Sequence, residues 1–271
     1  MTPDEEPEDS AIDIIYRAKD RERRVIDEDL FKTVEEVFDR ATVQAILKLM
    51  RRGVISKLMS VVSAGKESRV YWGKGRGNCD LAVKIYLTSS TEFRKGMVKY
   101  IAGDHRFDRN IPKSTRKLVV LWARKEFSNY VELRKAGVSV PTPIAQFENV
   151  LVMEFIGSDG VRAPLLKEVM LTPSEYVSVL HMIIEDLRKA YIKARLVHSD
   201  LSEYNVMIWN GKHYLIDVSQ AVHATHPNAM EFLKRDINNI IKYFREEVGI
   251  ETPPPYIVLR YVIGELDDLE T

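Results

Sequence analysis

Hydrophobic positions along this chain change their spacing several times, and each change marks an element. Between about Asp27 and Met50 the apolar residues Leu30, Val34, Val37, Phe38, Ala41, Ile46, Leu47 and Met50 recur mostly at three- and four-residue steps, which predicts a helix. Arg51-Arg52 and Gly53 supply its basic last turn and its C-terminal glycine. Three strand-like runs follow, Leu58–Val62, Arg69–Trp72 and Leu81–Leu87, divided by the turn-forming stretches Ser63–Lys66 and Gly73–Asn78. A polar, basic segment from Ser89 to Lys117 reads as a loop. A helix carrying Leu118, Leu121, Trp122, Phe127, Tyr130, Val131 and Leu133 then runs to Gly137. Strands Ile144–Phe147 and Val150–Phe155 complete a lobe of five strands and one helix.

The second half of the pattern is mainly helical. Thr172-Pro173-Ser174-Glu175 combines an N-cap, a proline at the first helical position and a capping-box glutamate, and starts a helix to about Arg195. Asn210-Gly211 between Val206–Trp209 and His213–Ile216 is a strong hairpin signal. Helices from about Asn228 to Val248 and from Tyr256 to Leu266 close the chain. The predicted organisation is an acidic flexible tail (1–25), a helical extension (26–54), a β-rich lobe (55–157, with a flexible basic loop at 88–116) and a helical lobe (158–271). The fold class is α+β.

Composition narrows the function classes. The 271 residues hold 40 basic and 40 acidic side chains, so the chain is not a globally basic coat for nucleic acid. A single cysteine, Cys79, excludes an internal disulfide framework and a cysteine-rich metal site. No apolar run is long enough to span a bilayer and the N-terminus does not read as a signal peptide, so a soluble cytoplasmic protein with no membrane partner is expected.

The chemistry concentrates in Val197-His198-Ser199-Asp200-Leu201-Ser202-Glu203-Tyr204-Asn205 and Leu215-Ile216-Asp217-Val218-Ser219. Transfer of a phosphoryl group from ATP needs Mg²⁺ held by hard oxygen ligands and a carboxylate beside the accepting hydroxyl. Asn205 and Asp217 suit the metal, and Asp200 suits the base. Upstream, Lys84 sits on an apolar strand where an ammonium needs partners; a phosphate and the helix residue Glu126 are the natural ones. Taken singly each feature is weak: a strand lysine snorkels, and an aspartate closing a hairpin strand forms a turn. Their order along the chain is what makes the set specific.

That set resembles the two-lobed protein-kinase-like fold and, more closely, the RIO family of atypical serine/threonine protein kinases, in its first, archaeal-like subfamily. Ser63–Tyr71 is similar to that family's phosphate-binding loop, Leu151–Gly157 to its hinge, and Ile216-Asp217-Val218-Ser219-Gln220 and His226–Leu233 to its later motifs. The resemblance implies phosphate contacts from Ser63, Lys66 and Ser68. It implies adenine contacts from backbone groups of Glu154 and Ile156, with Met153 lining the pocket behind. ATP with Mg²⁺, or Mn²⁺ in its place, is the implied cofactor, and a small-subunit pre-ribosomal particle the implied partner. Asp217 is implied both as metal ligand and as the aspartate that can itself take phosphate.

Departures from ordinary kinases sharpen this. Gly65 is alone in its loop, Ser199 replaces the arginine before the catalytic aspartate, and only 54 residues follow Asp217, too few for peptide-docking subdomains. The stretch from Arg94 to Lys117 has eight basic residues against Asp104 and Asp108, which suits RNA contact or autophosphorylation at Ser114 or Thr115. Two alternatives stay open: a small-molecule phosphotransferase of the aminoglycoside or choline type, and a non-catalytic ATP-binding scaffold on the particle.

Overall fold

A computed structural model describes residues 38–88 and 91–269. The acidic tail and the first part of the helical extension lie outside the described residues. Helix α1 (Arg40–Arg51) is opened by Asp39, whose carboxylate accepts from the Thr42 N–H at 2.7 Å. Strands β1 (Lys57–Ala64), β2 (Ser68–Lys74), β3 (Asp80–Tyr86), β4 (Pro143–Phe147) and β5 (Val150–Glu154) form one antiparallel sheet in the order β1-β2-β3-β5-β4.

Strand period decides what each face of this sheet does. On β3, Leu81, Val83 and Ile85 point to one face, where Ile46, Leu49 and Met50 of α1 bury them. Ala82, Lys84 and Tyr86 therefore point to the other face, toward helix α3 (Thr115–Lys135) and the helical lobe. Helix α1 is thus the cover of the sheet's outer face. Without it Leu81, Val83, Ile85, Val150 and Val152 would meet water.

The basic segment departs from its sequence reading. Residues 88–116 are not one flexible loop: Thr91–Ile101 is helix α2, and a 3-10 turn spans Asp108–Asn110. Its buried residues Met97, Tyr100 and Ile101 sit at helical spacing, and the Tyr100 ring lies against Trp122 and Phe232. The apolar positions Phe93, Met97, Val98, Tyr100 and Ile101 are interleaved with Glu92, Arg94, Lys95, Gly96 and Lys99, a weak periodic signal, which is why the sequence reads as a loop. After α2 the chain docks on the helical lobe: Gly103 packs against Pro227, and His226 donates to the Ala102 carbonyl at 2.9 Å.

Beyond the hinge a short hairpin, β6 (Gly157–Ser158) and β7 (Val161–Arg162), turns at Asp159-Gly160, both with positive φ. Its flanks do not alternate, so the sequence hid it. Gly160 lies against the Trp72 ring, where a Cβ would come within 2.5 Å of ring carbon. The helical lobe contains α4 (Pro173–Lys189), whose Thr172–Glu175 capping box forms as predicted, and α5 (Ala229–Lys242) and α6 (Pro255–Ile263). Hairpin β9 (Val206–Trp209) and β10 (Lys212–Leu215) turns at Asn210-Gly211. A second small pair joins β8 (Leu196–Val197) to β11 (Val222–His223).

Candidate active site

The site forms where β3, α3 and the loop after β10 meet. Lys84 is 6% exposed; its Nζ donates to Glu126 Oε1 at 2.7 Å and to Asp217 Oδ1 at 3.0 Å. Glu126 is wholly buried and also accepts from the Tyr86 hydroxyl at 2.5 Å. Sheet face, helix and loop, far apart in sequence, therefore converge on one ammonium. Burial opposes the Lys84 charge, but Asp217 and Glu126 carry its pKa well above the usual range. Burial pushes the Glu126 carboxyl up, while against partial withdrawal from water Lys84 and Ser219 hold the half-exposed Asp217 below its ordinary value.

Asp217 occupies the left-handed region, φ 57° and ψ 58°, which costs a non-glycine residue about 1–2 kcal/mol. The surroundings impose this conformation. Its N–H donates to the Tyr130 hydroxyl at 3.0 Å and its Oδ1 accepts from Ser219 Oγ at 2.9 Å. Oδ2 receives no donor among the described residues. Asn205 is oriented similarly: its Nδ2 donates to the Asp200 carbonyl at 2.7 Å, leaving the amide oxygen as the free end. Two hard oxygens with no protein donor, beside an excess of carboxylates, form a donor set suited to Mg²⁺.

Asp200 accepts from Gln220 Nε2 at 2.8 Å through one carboxylate oxygen. Burial, and then the charge of Asp217, raise its pKa, which suits a group that must take up a proton. Its backbone is held from α5. Asp236, fully buried, accepts the Ser199 N–H at 2.7 Å and the Leu201 N–H at 2.9 Å, one on each oxygen. Arg235 donates to the Ser199 carbonyl. These bonds hold Ser199 at φ 69°, immediately before Asp200. His198 donates from Nε2 to the Ile216 carbonyl at 3.1 Å, tying the Asp200 loop to the end of the hairpin; burial lowers its pKa to about 4, so it is neutral.

Burial raises the Asp236 pKa to about 7, with no cation at hydrogen-bond distance among the described residues to oppose it. The sign of its contribution follows. Below about pH 4 the aspartate is protonated in folded and unfolded chains alike. As pH rises toward about 7, the unfolded chain has released a proton that the folded one keeps, so this group's contribution to stability is lost across that window. Asp236→Asn is expected to flatten the dependence of unfolding free energy on pH between about 4 and 7 and to lower turnover; an unchanged slope in urea titrations across that range would refute the assignment.

The remaining expected residues stand around this centre. Ser63, near the end of β1, and Lys66, on the β1–β2 turn, are exposed, Ser68 at the start of β2 is half-buried, and Gly65 N–H closes the turn on the Ser68 carbonyl at 2.9 Å. The turn overhangs the acidic group: burial and then Asp217 raise the pKa of Glu67. Met153 is opposite Ala82 on the inner face of the sheet. The Glu154 carboxylate is taken by Thr142 and its N–H by the Thr142 carbonyl. The Ile156 carbonyl accepts from Ala163, while its own N–H has no backbone acceptor among the described residues. Ser114 is exposed just before α3, and Thr115 is that helix's first residue. Tyr86, Asn129, Lys125 and Asp236 were not singled out by the sequence reading, which named Tyr130 as an apolar helix position and Gln220 as part of a motif without a role, although Asp236 interrupts the apolar stripe Phe232, Leu233, Ile237, Ile240.

Comparison with known proteins places the chain in a family. Residues 69–255 match the family model described as RIO domain. The chain is 42% identical over 231 residues to the Caenorhabditis elegans serine/threonine-protein kinase RIO1, and 40% identical over 240 residues to the human one. The matches cover 84% and 88% of this chain, but it spans only 45% and 41% of those longer proteins. To the RIO-type serine/threonine-protein kinase Rio1 of Haloferax volcanii it is 42% identical, covering 88% of this chain and 82% of that one. A Rio2 kinase from Chaetomium thermophilum, solved as an ADP/Mg²⁺-phosphoaspartate complex, superposes with a TM-score of 0.62 at 25% identity, over 83% of this chain and 67% of that one. The chain belongs to the RIO family, with the two-lobed kinase-like α+β fold.

Proposed function

We propose that this chain is an ATP- and Mg²⁺-dependent phosphotransferase, an atypical serine/threonine protein kinase. The observation that carries the reading is the single ammonium of Lys84 shared by Glu126 and Asp217. It links a phosphate-binding lysine to a metal-binding aspartate across the two lobes. Asn205 and Asp217 would hold Mg²⁺, which supplies neutralisation of the triphosphate when bound; Mn²⁺ fits the same oxygens. Lys84, Lys66 on the β1–β2 turn and the flanking strand residues Ser63 and Ser68 bind phosphate oxygens. The free Ile156 N–H and the Glu154 backbone face adenine, with Met153 behind it. Asp200 accepts the proton of the attacking hydroxyl as the new P–O bond forms and ADP leaves.

A second outcome at the same site is favoured by the unbonded Asp217 Oδ2 and by the phosphoaspartate in the Chaetomium relative. Here Asp217 attacks the γ-phosphorus, the bond to the bridging oxygen breaks, ADP departs, and water later hydrolyses the acyl phosphate. The protein would then act as an ATPase cycling on a small-subunit pre-ribosomal particle in the cytoplasm, and Ser114 or Thr115 would be sites of autophosphorylation in the kinase mode.

The test follows labelled ATP with Mg²⁺ and no added substrate. Hydroxylamine-labile label that disappears in Asp217→Asn is the result expected of the aspartyl-phosphate cycle. Stable label on serine or threonine supports the kinase mode. An aminoglycoside or choline as sole acceptor would overturn both, and ATP binding without any turnover, with or without particles, would leave a scaffold.

A further inference from the structure

Lys125 precedes Glu126 on α3 and is as deeply buried, with no exposed surface. It forms no ion pair with a carboxylate among the described residues. Its Nζ instead donates to the Ser219 carbonyl at 3.0 Å and to the Ala221 carbonyl, lying 5.2 Å from the centre of the Trp122 ring. A lysine amine withdrawn from water for two carbonyls is a costly arrangement for a fold to keep. One helical turn on, Asn129 Nδ2 donates to the Val218 carbonyl at 2.8 Å and to the Ala221 carbonyl at 3.2 Å. Next to it, the Tyr130 hydroxyl takes the Asp217 N–H.

Helix spacing explains the assembly. Positions 125, 126, 129 and 130 lie on one face of α3, so one helix face grips both the phosphate lysine and the metal loop. Glu126 acts through Lys84. Lys125, Asn129 and Tyr130 act on the loop backbone, occupying the groups of Asp217, Val218, Ser219 and Ala221. Asp217 needs such support because its left-handed backbone is unfavourable for an aspartate. The geometry points to Lys125, with Asn129, as the positioning residue that fixes the backbone after Asp217 and so aims the Asp217 carboxylate at its metal. The metal part of this inference rests on the function proposed above; the loop part does not.

Lys125→Met tests it, because methionine keeps the length and apolar stem while removing the donors. Amide hydrogen exchange is measured on the whole chain without nucleotide or metal. Residues 217–221 are expected to exchange at least about tenfold faster, while α4 core amides and the midpoint of thermal unfolding stay near wild type. In turnover assays the Mg²⁺ concentration for half-maximal rate is expected to rise about tenfold, with a smaller change in KM for ATP. A purely structural lysine would instead lower the thermal midpoint and speed exchange in α4 and the loop together, and that result overturns the proposal. So does unchanged exchange at 217–221. Should Lys125→Met not fold, Asn129→Leu removes the neighbouring pair of bonds and is read in the same way, with the same overturning results. Absence of turnover in every variant would count against the proposed function, while the exchange data would still decide the role of Lys125.

Discussion

Asp200→Ala is expected to lower phosphoryl transfer to serine or threonine by about 10²–10⁴-fold while leaving nucleotide binding close to wild type. The carboxylate is bonded by Gln220 and its loop is anchored through the backbone by Asp236, so removing the side chain leaves the Ser199 and Leu201 amides held as before. Lys84, Glu126 and Asp217 keep their contacts with one another, since none of them touches Asp200. The same variant separates the two modes of the site. When a hydroxyl is the acceptor, loss of the base lowers the rate of labelling by that factor. When Asp217 is the acceptor no proton needs to be taken from the nucleophile, so the acyl phosphate still forms and accumulates as water attack slows. Label and free phosphate measured together read both. A variant that keeps wild-type rates in each would show that Asp200 is not the base.

Much of this site was legible in the sequence because its chemistry depends on residue type and order. Lys84, Glu126, Asp200, Asn205 and Asp217 were identified from strand, helix and hairpin signals, and the structure gathers Lys84, Glu126 and Asp217 around one nitrogen. The residues that support them were less legible for a physical reason. Lys125 and Asn129 bond to carbonyls, and a carbonyl leaves no trace in the sequence of its own residue. Asp236 gave a signal, a charged residue in a buried stripe, whose meaning depends on a loop 37 residues away. Helix α2 was hidden because its apolar positions, Met97, Tyr100 and Ile101 among them, are interleaved with charged residues. The Trp72–Gly160 contact is a packing fit between two turns and has no periodic signature.

Lys84→Met is expected to act twice, on stability and on catalysis, and the two effects can be separated. Glu126 has no exposure, and without Lys84 its remaining hydrogen-bond partner among the described residues is the Tyr86 hydroxyl. Breaking a buried pair by removing one charge strands the other, at a cost of about 3–5 kcal/mol. The Asp217 side chain is half-exposed, so water compensates it and little of the loss comes from there. Adding Glu126→Gln removes the stranded charge. The double variant is therefore expected to recover most of the lost unfolding free energy in urea titrations, because a neutral pair in place of a buried ion pair is often close to neutral in stability. Turnover should not recover with it. The phosphates have lost their ammonium and Asp217 one of its donors, and restored packing returns neither. Recovery of turnover in the double variant would mean that Lys84 serves only the fold. A single variant losing under about 1 kcal/mol would mean that Glu126 is not stranded, and the converging ammonium could then no longer be taken as the centre of the site.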